Sequence, residues 1–234
     1  MVASEHSGPP TARGGPDGAV LKPATEPSAP RVTEPPGSPA TERRREVALA
    51  GHQGDEALAR SGLSDGDSSV RATALGALAR LGALGDDDLR ASLLDPAPTV
   101  RRRGCELAAA RPAVAIVALL DDTDPSVVEM AAWSMGERGE LAAVGALAEL
   151  VSLTAGHRDP LCREAAVAAL GAIGDPAGLP AVLGALDDKP AVRRRAAVAL
   201  AAFDGPAVES ALRRCLDDRD WQVRQVAEDL LAVE

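Results

Sequence analysis

Residues 63–71 read LSDGDSSVR, and the same frame returns as LDDKPAVR at 186–193 and as LDDRDWQVR at 216–224. Less complete copies follow elsewhere, so that the Val or Cys that marks the frame falls at residues 70, 100, 127, 162, 192 and 223. The period of about 30 residues is typical of solenoid repeats. Repetition of this kind predicts a stack of similar units instead of one closed core.

Each unit predicts a pair of helices. The first helix carries the marker residue near its start, and its apolar side chains recur every three or four residues, which is the helix period. A capping Asp followed by Pro, at 124–125 and at 159–160, is typical of a helix start. Glycines that suit the left-handed end of a first helix are Gly82, Gly139 and Gly174. The second helices are predicted at 85–94, 112–120, 140–153, 176–186 and 205–216.

The two ends of the chain depart from the repeat. Residues 41–63 keep a helix pair without the marker, and residues 216–234 supply only the first helix of a last unit. Residues 1–40 hold nine of the 18 prolines and few apolar side chains, so they cannot offset the entropy of ordering. The sequence therefore predicts an all-α fold: a right-handed α-solenoid of about five to six helix pairs over 41–234, after a disordered Pro-rich tail over 1–40.

Charge and hydropathy restrict the partners. The net charge is −10, and residues 41–234 hold 31 acids against 22 bases, which disfavours nucleic acid and anionic lipid. No apolar run approaches the roughly 20 residues of a membrane span, and the start lacks the apolar core of a secretory signal. We expect a cytoplasmic, monomeric protein without membrane contacts. Two lysines against 23 arginines are typical of a GC-rich bacterial genome.

The pattern LDDxxxVR followed by AAxALxxxG resembles the HEAT-like repeats of the phycobilisome-lyase type, over residues 41–234. The resemblance implies stacked helix pairs but no single function, since such repeats occur in lyases, hydroxylases, DNA-repair enzymes and adaptors. It also implies a ladder of ion pairs between units, made by Arg71, Arg101, Arg163, Arg193 and Arg224 with Asp65, Asp95, Asp121, Asp187 and Asp217. Val128 replaces the Arg of one unit, so we expect the weakest rung there.

The residues of an active site are missing from the sequence. Deoxyhypusine hydroxylase, a HEAT-like enzyme, binds two irons through His-Glu pairs, whereas His6, His52 and His157 are not followed by Glu and are interpreted as surface residues. Phosphate-binding loops, nucleophile elbows and Cys-His pairs are absent as well. We therefore predict no enzyme activity, no catalytic residue, no metal and no cofactor. The rival hypothesis is a lyase-like or hydroxylase-like enzyme or enzyme subunit.

Two further residue sets have less specific interpretations. Cys105, Cys162 and Cys215 stand in separate units among Ala, Val and Leu, and we expect them to be buried apolar groups. A HEAT-like DNA glycosylase needs a basic groove with aromatic residues, but this acidic chain has three aromatic side chains in total. A local basic patch of Arg102, Arg103, Arg194 and Arg195 stays open, with solvated helix surface as the alternative.

Trp133 indicates a binding surface. It stands six residues after its marker, at a position that varies from unit to unit, and variation in a regular array indicates exposure. An exposed Trp beside Met and Arg has the composition of a protein-binding hot spot. The predicted partner-binding residues are Arg102, Arg103, Glu106, Glu129, Met130, Trp133, Glu137, Arg194 and Arg195.

The sequence leaves one alternative for Trp133 and predicts the function only broadly. Trp133 could instead fill the space beside Gly136, while Trp221 is expected to cover the end of the core. In related folds the first helices line the concave side of the superhelix. We therefore predict a non-catalytic scaffold or adaptor that grips a segment of a partner protein on its concave face.

Overall fold

The computed structural model describes residues 37–232, which form a stack of helices without strands. In chain order the α-helices are α1 (Pro39–Gln53), α2 (Glu56–Ser61), α3 (Ser68–Leu81), α4 (Asp86–Ser92), α5 (Pro98–Ala108), α6 (Pro125–Arg138), α7 (Val144–Val151), α8 (Pro160–Ile173), α9 (Leu179–Ala185), α10 (Pro190–Ala199), α11 (Pro206–Cys215) and α12 (Trp221–Leu231). Short 3₁₀ helices are Gly62–Ser64, Val117–Asp121, Leu141–Ala143, Pro176–Gly178 and Leu200–Ala202. The all-α solenoid predicted from the repeat is confirmed.

The helices form two layers. The first helices of the units, α1, α3, α5, α6, α8, α10 and α12, each pack against the next, and α2, α4, α7, α9 and α11 make up the second layer. Most of the predicted tail, residues 1–36, lies outside the described residues, and α1 begins at Pro39. No helix within 37–232 is long and apolar enough to cross a bilayer.

One predicted second helix is wrong. Residues 109–121, where we expected a helix over 112–120, contain a turn, a short non-helical stretch and the 3₁₀ helix Val117–Asp121. The stretch buries Val114 and Ile116 completely, while Ala115 between them and Val117 after them stay exposed, so it contacts the core without forming a helix. The Val114 carbonyl in this stretch accepts a hydrogen bond from Arg138 Nη1 at 2.9 Å.

The predicted helix boundaries are confirmed by their caps. The Asp124 carboxylate accepts the Ser126 N–H at the start of α6, and Asp159 accepts the Leu161 N–H at the start of α8. Gly82, Gly139 and Gly174 end their helices at φ values of 70°, 60° and 68°. Side chains with a β-carbon rarely adopt this left-handed conformation, which explains the glycines.

Small side chains let the first helices approach one another closely. The marker residues of all six units are at most 2% exposed: Val70, Val100, Val127, Cys162, Val192 and Val223. A β-carbon placed on Gly136 of α6 would lie 2.8 Å from the Ala169 Cα of α8, and one on Gly171 would lie 2.7 Å from the Ala199 Cβ of α10. The array therefore holds its layers together with many small contacts.

Candidate partner-binding groove

A ladder of ion pairs joins successive units along one edge. In each rung an Arg of one first helix contacts the Asp in the turn that precedes the next first helix. The rungs are Arg43–Asp65, Arg71–Asp95, Arg101–Asp122, Arg163–Asp188 and Arg193–Asp218, at 2.6 to 3.1 Å. The first rung, through Arg43, was not expected from the sequence.

Three of the ladder acceptors expected from the sequence are wrong: the rungs use Asp122, Asp188 and Asp218 instead of Asp121, Asp187 and Asp217. In each of these turns the second Asp holds its Oδ1 against a following backbone N–H, as Asp122 does with the N–H of Asp124 at 2.8 Å. That hydrogen bond fixes the carboxylate toward the neighbouring Arg. Arg224 donates to the Asp218 carbonyl of its own turn.

The rung expected to be weakest is absent from the described structure. Val128 is completely buried in the position of the Arg, and His157 occupies the position of the Asp. The Nδ1 atom of His157 accepts the Asp159 N–H at 3.1 Å, the bond that a ladder Asp makes elsewhere. His157 is thus a half-buried turn residue, which corrects its interpretation as a simple surface histidine. The close contact of α6 with α8 at Gly136 joins the units instead.

Trp133 lies in a groove of about 690 Å³ on the layer of first helices. Its residues come from α5, α6, α8 and α10, so the groove crosses the junction that lacks a rung. Trp133 is 42% exposed, and the space beside Gly136 is closed by Ala169 and not by Trp133. The residues predicted from the sequence that line this groove are Arg102, Glu106, Glu129, Met130, Trp133, Glu137 and Arg195.

The remaining two predicted residues lie elsewhere. Arg103 lines a neighbouring groove of about 480 Å³ beside α1 and α3, where its guanidinium covers Gly76. Arg194 hydrogen-bonds Gln222 and lies 3.7 Å from the Asp220 carboxylate. These pairings also argue against a basic patch, because Arg103, Arg194 and Arg195 each contact an acid.

The structure adds residues from α8 that the sequence reasoning missed. Leu161, which is 55% exposed, and Glu164 line the groove together with Ala165, Ala168, Ala169 and Ala172. Glu164 stands two residues after its marker, as Glu129 does, so an alignment of the units on their markers could have predicted Glu164 as a groove residue. Leu161 had no such signal, because it precedes the marker.

All three cysteines are buried thiols with raised pKa values. Cys105, Cys162 and Cys215 are free thiols and are buried, as expected. Desolvation raises the pKa of Cys105 and of Cys162 to about 12, and it raises the pKa of Cys215. Within the part of the chain that the structure describes, no group of three or more His, Cys, Asp or Glu side chains is placed to hold a metal ion. His6 lies outside these residues.

Trp221 and His52 are both on the surface. Trp221, expected to cover the end of the core, is 64% exposed. Trp221 is the first residue of α12, and the expectation that it covers the end of the core is wrong, because most of its surface faces solvent. His52, in the last turn of α1, is exposed as predicted.

Comparisons with known proteins agree with this architecture. Residues 147–232 match the model of the HEAT repeats family. The fold is similar to the X-ray structure of YibA from Escherichia coli, with 21% identity over 85% of this chain and 76% of that chain and a TM-score of 0.56. Weaker similarities are found to two further structures. Human deoxyhypusine hydroxylase is 24% identical over 84% of this chain and 80% of that chain, with a TM-score of 0.43. A designed armadillo repeat protein is 18% identical over 82% of this chain and 87% of that chain, with a TM-score of 0.44.

A comparison with curated proteins gives no match. The repeat frame, the two helix layers and the family match over 147–232 nevertheless agree with one another. Residues 147–232 therefore match HEAT repeats, and the same succession of helix pairs continues through the other described residues.

Proposed function

We propose that the chain is a non-catalytic interaction scaffold that binds a segment of a partner protein in the groove beside Trp133. The observation that carries the proposal is the exposed indole. At the equivalent position the other units hold small or polar residues or a single Val, namely Gly76, Glu106, Ala168, Val198 and Asp229. A large apolar side chain in a groove, on a residue that is 42% exposed, favours association with a partner, which removes it from water.

The surroundings of Trp133 favour insertion of a side chain of the partner into the groove over contact with a flat partner surface. Met130 and Leu161 add apolar surface, and the alanines of α8 form a shallow floor. A volume of about 690 Å³ lies in the range of binding pockets. Ion pairs and close helix contacts join the units on either side of the groove, and we expect this support to limit the entropy lost on binding.

Selection from a displayed peptide library tests this proposal. The immobilised full chain should enrich peptides whose binding falls at least about tenfold in Trp133→Ala, since truncating a hot-spot Trp costs more than about 1.4 kcal/mol. Trp221→Ala is the matched control, because Trp221 is exposed but does not line the groove. It should keep the wild-type affinity. Circular dichroism and the melting temperature verify that both variants fold.

The proposal is contradicted if the enriched peptides bind Trp133→Ala as tightly as the wild type, or if selection enriches none. The cytoplasmic location, the monomeric state and the lack of catalysis stay predictions from the sequence.

A further inference from the structure

The charges around Trp133 are unevenly compensated. Glu129 and Glu137 stand four residues before and after Trp133, so that all three side chains share one face of α6. Both carboxylates are exposed and form no ion pair with any residue of 37–232. The other two acids of the groove are already neutralised, because Glu106 contacts Arg103 at 2.7 Å and Glu164 contacts Arg195 at 3.4 Å.

An exposed indole between two carboxylates without ion-pair partners within residues 37–232 has the chemistry that attracts a cation. The face of a Trp ring attracts a positive charge more strongly than any other side-chain ring does. A guanidinium can lie flat on the indole and still donate hydrogen bonds from its edge to a carboxylate, which an ammonium cannot do with the same geometry. The alanine floor of α8 accommodates the methylene groups of such a side chain.

Arg102, a groove residue without an ion-pair partner among the described residues, restricts the positive charge that the partner can carry. Arg102 of α5 is exposed and makes no ion pair in the described part of the chain. A second positive charge of the ligand beside α5 would meet this like charge. The groove therefore matches one cationic side chain over Trp133 better than a continuous basic run.

On the basis of the proposed function, we infer that the partner segment inserts an arginine side chain between Glu129 and Glu137, with its guanidinium on the Trp133 ring. The arginine is flanked by apolar residues that cover Met130 and Leu161. The inference concerns the chemistry of the occupant, whereas the proposed function requires only that a peptide binds there.

Two peptides that differ in one charge test the inference. Ac-Ser-Leu-Arg-Leu-Ser-NH2 and its citrulline counterpart have nearly the same shape, but citrulline is neutral. The readout is the indole N–H signal of Trp133 in a ¹H–¹⁵N spectrum of the full chain, assigned by comparison with Trp221→Phe. The arginine peptide should bind about tenfold more tightly than the citrulline peptide, and 0.5 M NaCl should remove most of the difference.

Charge variants locate the effect. Glu129→Gln with Glu137→Gln should abolish the preference for arginine while leaving the weaker citrulline binding unchanged. Asp204→Asn with Asp217→Asn is the control with the same change in net charge, since both acids are exposed and neither lines the groove. This control should keep the preference.

Equal affinity for the two peptides, or a preference that survives the Glu129 and Glu137 substitutions, overturns the inference and leaves the scaffold proposal standing. Absence of a Trp133 shift with both peptides also overturns it. Failure of the scaffold proposal is recognised separately, by a library selection that finds no peptide dependent on Trp133.

Discussion

Arg101 and Asp122, which belong to successive units, form a bidentate ion pair. Arg101 Nε donates to Asp122 Oδ2 at 2.7 Å, and Arg101 Nη2 donates to Asp122 Oδ1 at 2.8 Å. Their side chains are only 14% and 6% exposed. The same Arg also donates through Nη1 to the Asp95 carbonyl of its own turn. One guanidinium thus fixes both its own turn and the next one.

Arg101→Met is expected to lower the free energy of unfolding by about 2–3 kcal/mol, because the Asp122 carboxylate loses its partner while it stays largely buried. Arg102→Met is the control: this neighbour is exposed and outside the ladder, so its loss should change stability by less than about 0.5 kcal/mol. Urea unfolding followed by circular dichroism measures both. Equal effects would show that the ladder adds nothing beyond surface charge.

The missing rung can be rebuilt. Val128→Arg alone should destabilise the chain, because it places an unpaired charge at a buried position, and His157→Asp alone leaves a carboxylate without its Arg. Together they should restore the pair that the other units have. A double-mutant cycle should then give a favourable coupling of at least about 1 kcal/mol. A coupling near zero would mean that the close contact of α6 with α8 leaves no room for a rung.

Acid should weaken the ladder. Hydrogen bonding from Arg43 holds the pKa of Asp65 at about 2, and the paired arginines likewise lower the pKa of Asp95, Asp122 and Asp188. A carboxyl whose pKa is lower in the folded state contributes stability above its unfolded pKa of about 3.9 and loses it as the pH falls through the folded value. The unfolding free energy should therefore decline from about pH 4 to pH 2.

Denaturant titrations between pH 7 and pH 2 measure this decline. Asp65→Asn, which cannot ionise, should be less stable than the wild type at pH 7 and should lose less stability on acidification. The prediction fails if the variant and the wild type lose stability in parallel.

The contact of α6 with α8 depends on a missing side chain. Gly136→Ala should destabilise the chain by about 1–3 kcal/mol, because the new methyl group would meet the Ala169 backbone at 2.8 Å. Gly145→Ala in α7 is the matched control, since no atom lies within 4 Å of its added β-carbon. It should instead stabilise by about 0.5–1 kcal/mol through helix propensity. Thermal unfolding distinguishes the opposite signs.

Thiol labelling checks the cysteines. In the folded chain at pH 8, Cys105, Cys162 and Cys215 should not react with a disulfide reagent within minutes, because they are buried and their pKa values are raised. All three should react at once in denaturant. Rapid labelling of one thiol in the native chain would show that its unit opens locally.

The sequence by itself determined the helix pairs, their capping residues and the buried marker positions, because the helix period and the chemistry of caps act over a few residues. It did not determine the backbone of residues 109–121, where an apolar run indicated a helix but the chain forms turns that bury Val114 and Ile116, followed by a 3₁₀ helix. It also placed seven of the nine predicted binding residues in one groove, since they share the face of the first helices.

Only the tertiary structure decided which atoms meet between units. The sequence pattern LDD contains two adjacent carboxylates, and the turn selects Asp122 over Asp121 by fixing it against a backbone N–H. The sequence located the weakest rung at Val128, but it gave no sign that His157, in the turn before the next first helix, takes the position of the matching Asp. Local periodicity specifies each helix, whereas rungs and grooves depend on the distances between helices, which arise only when the units pack.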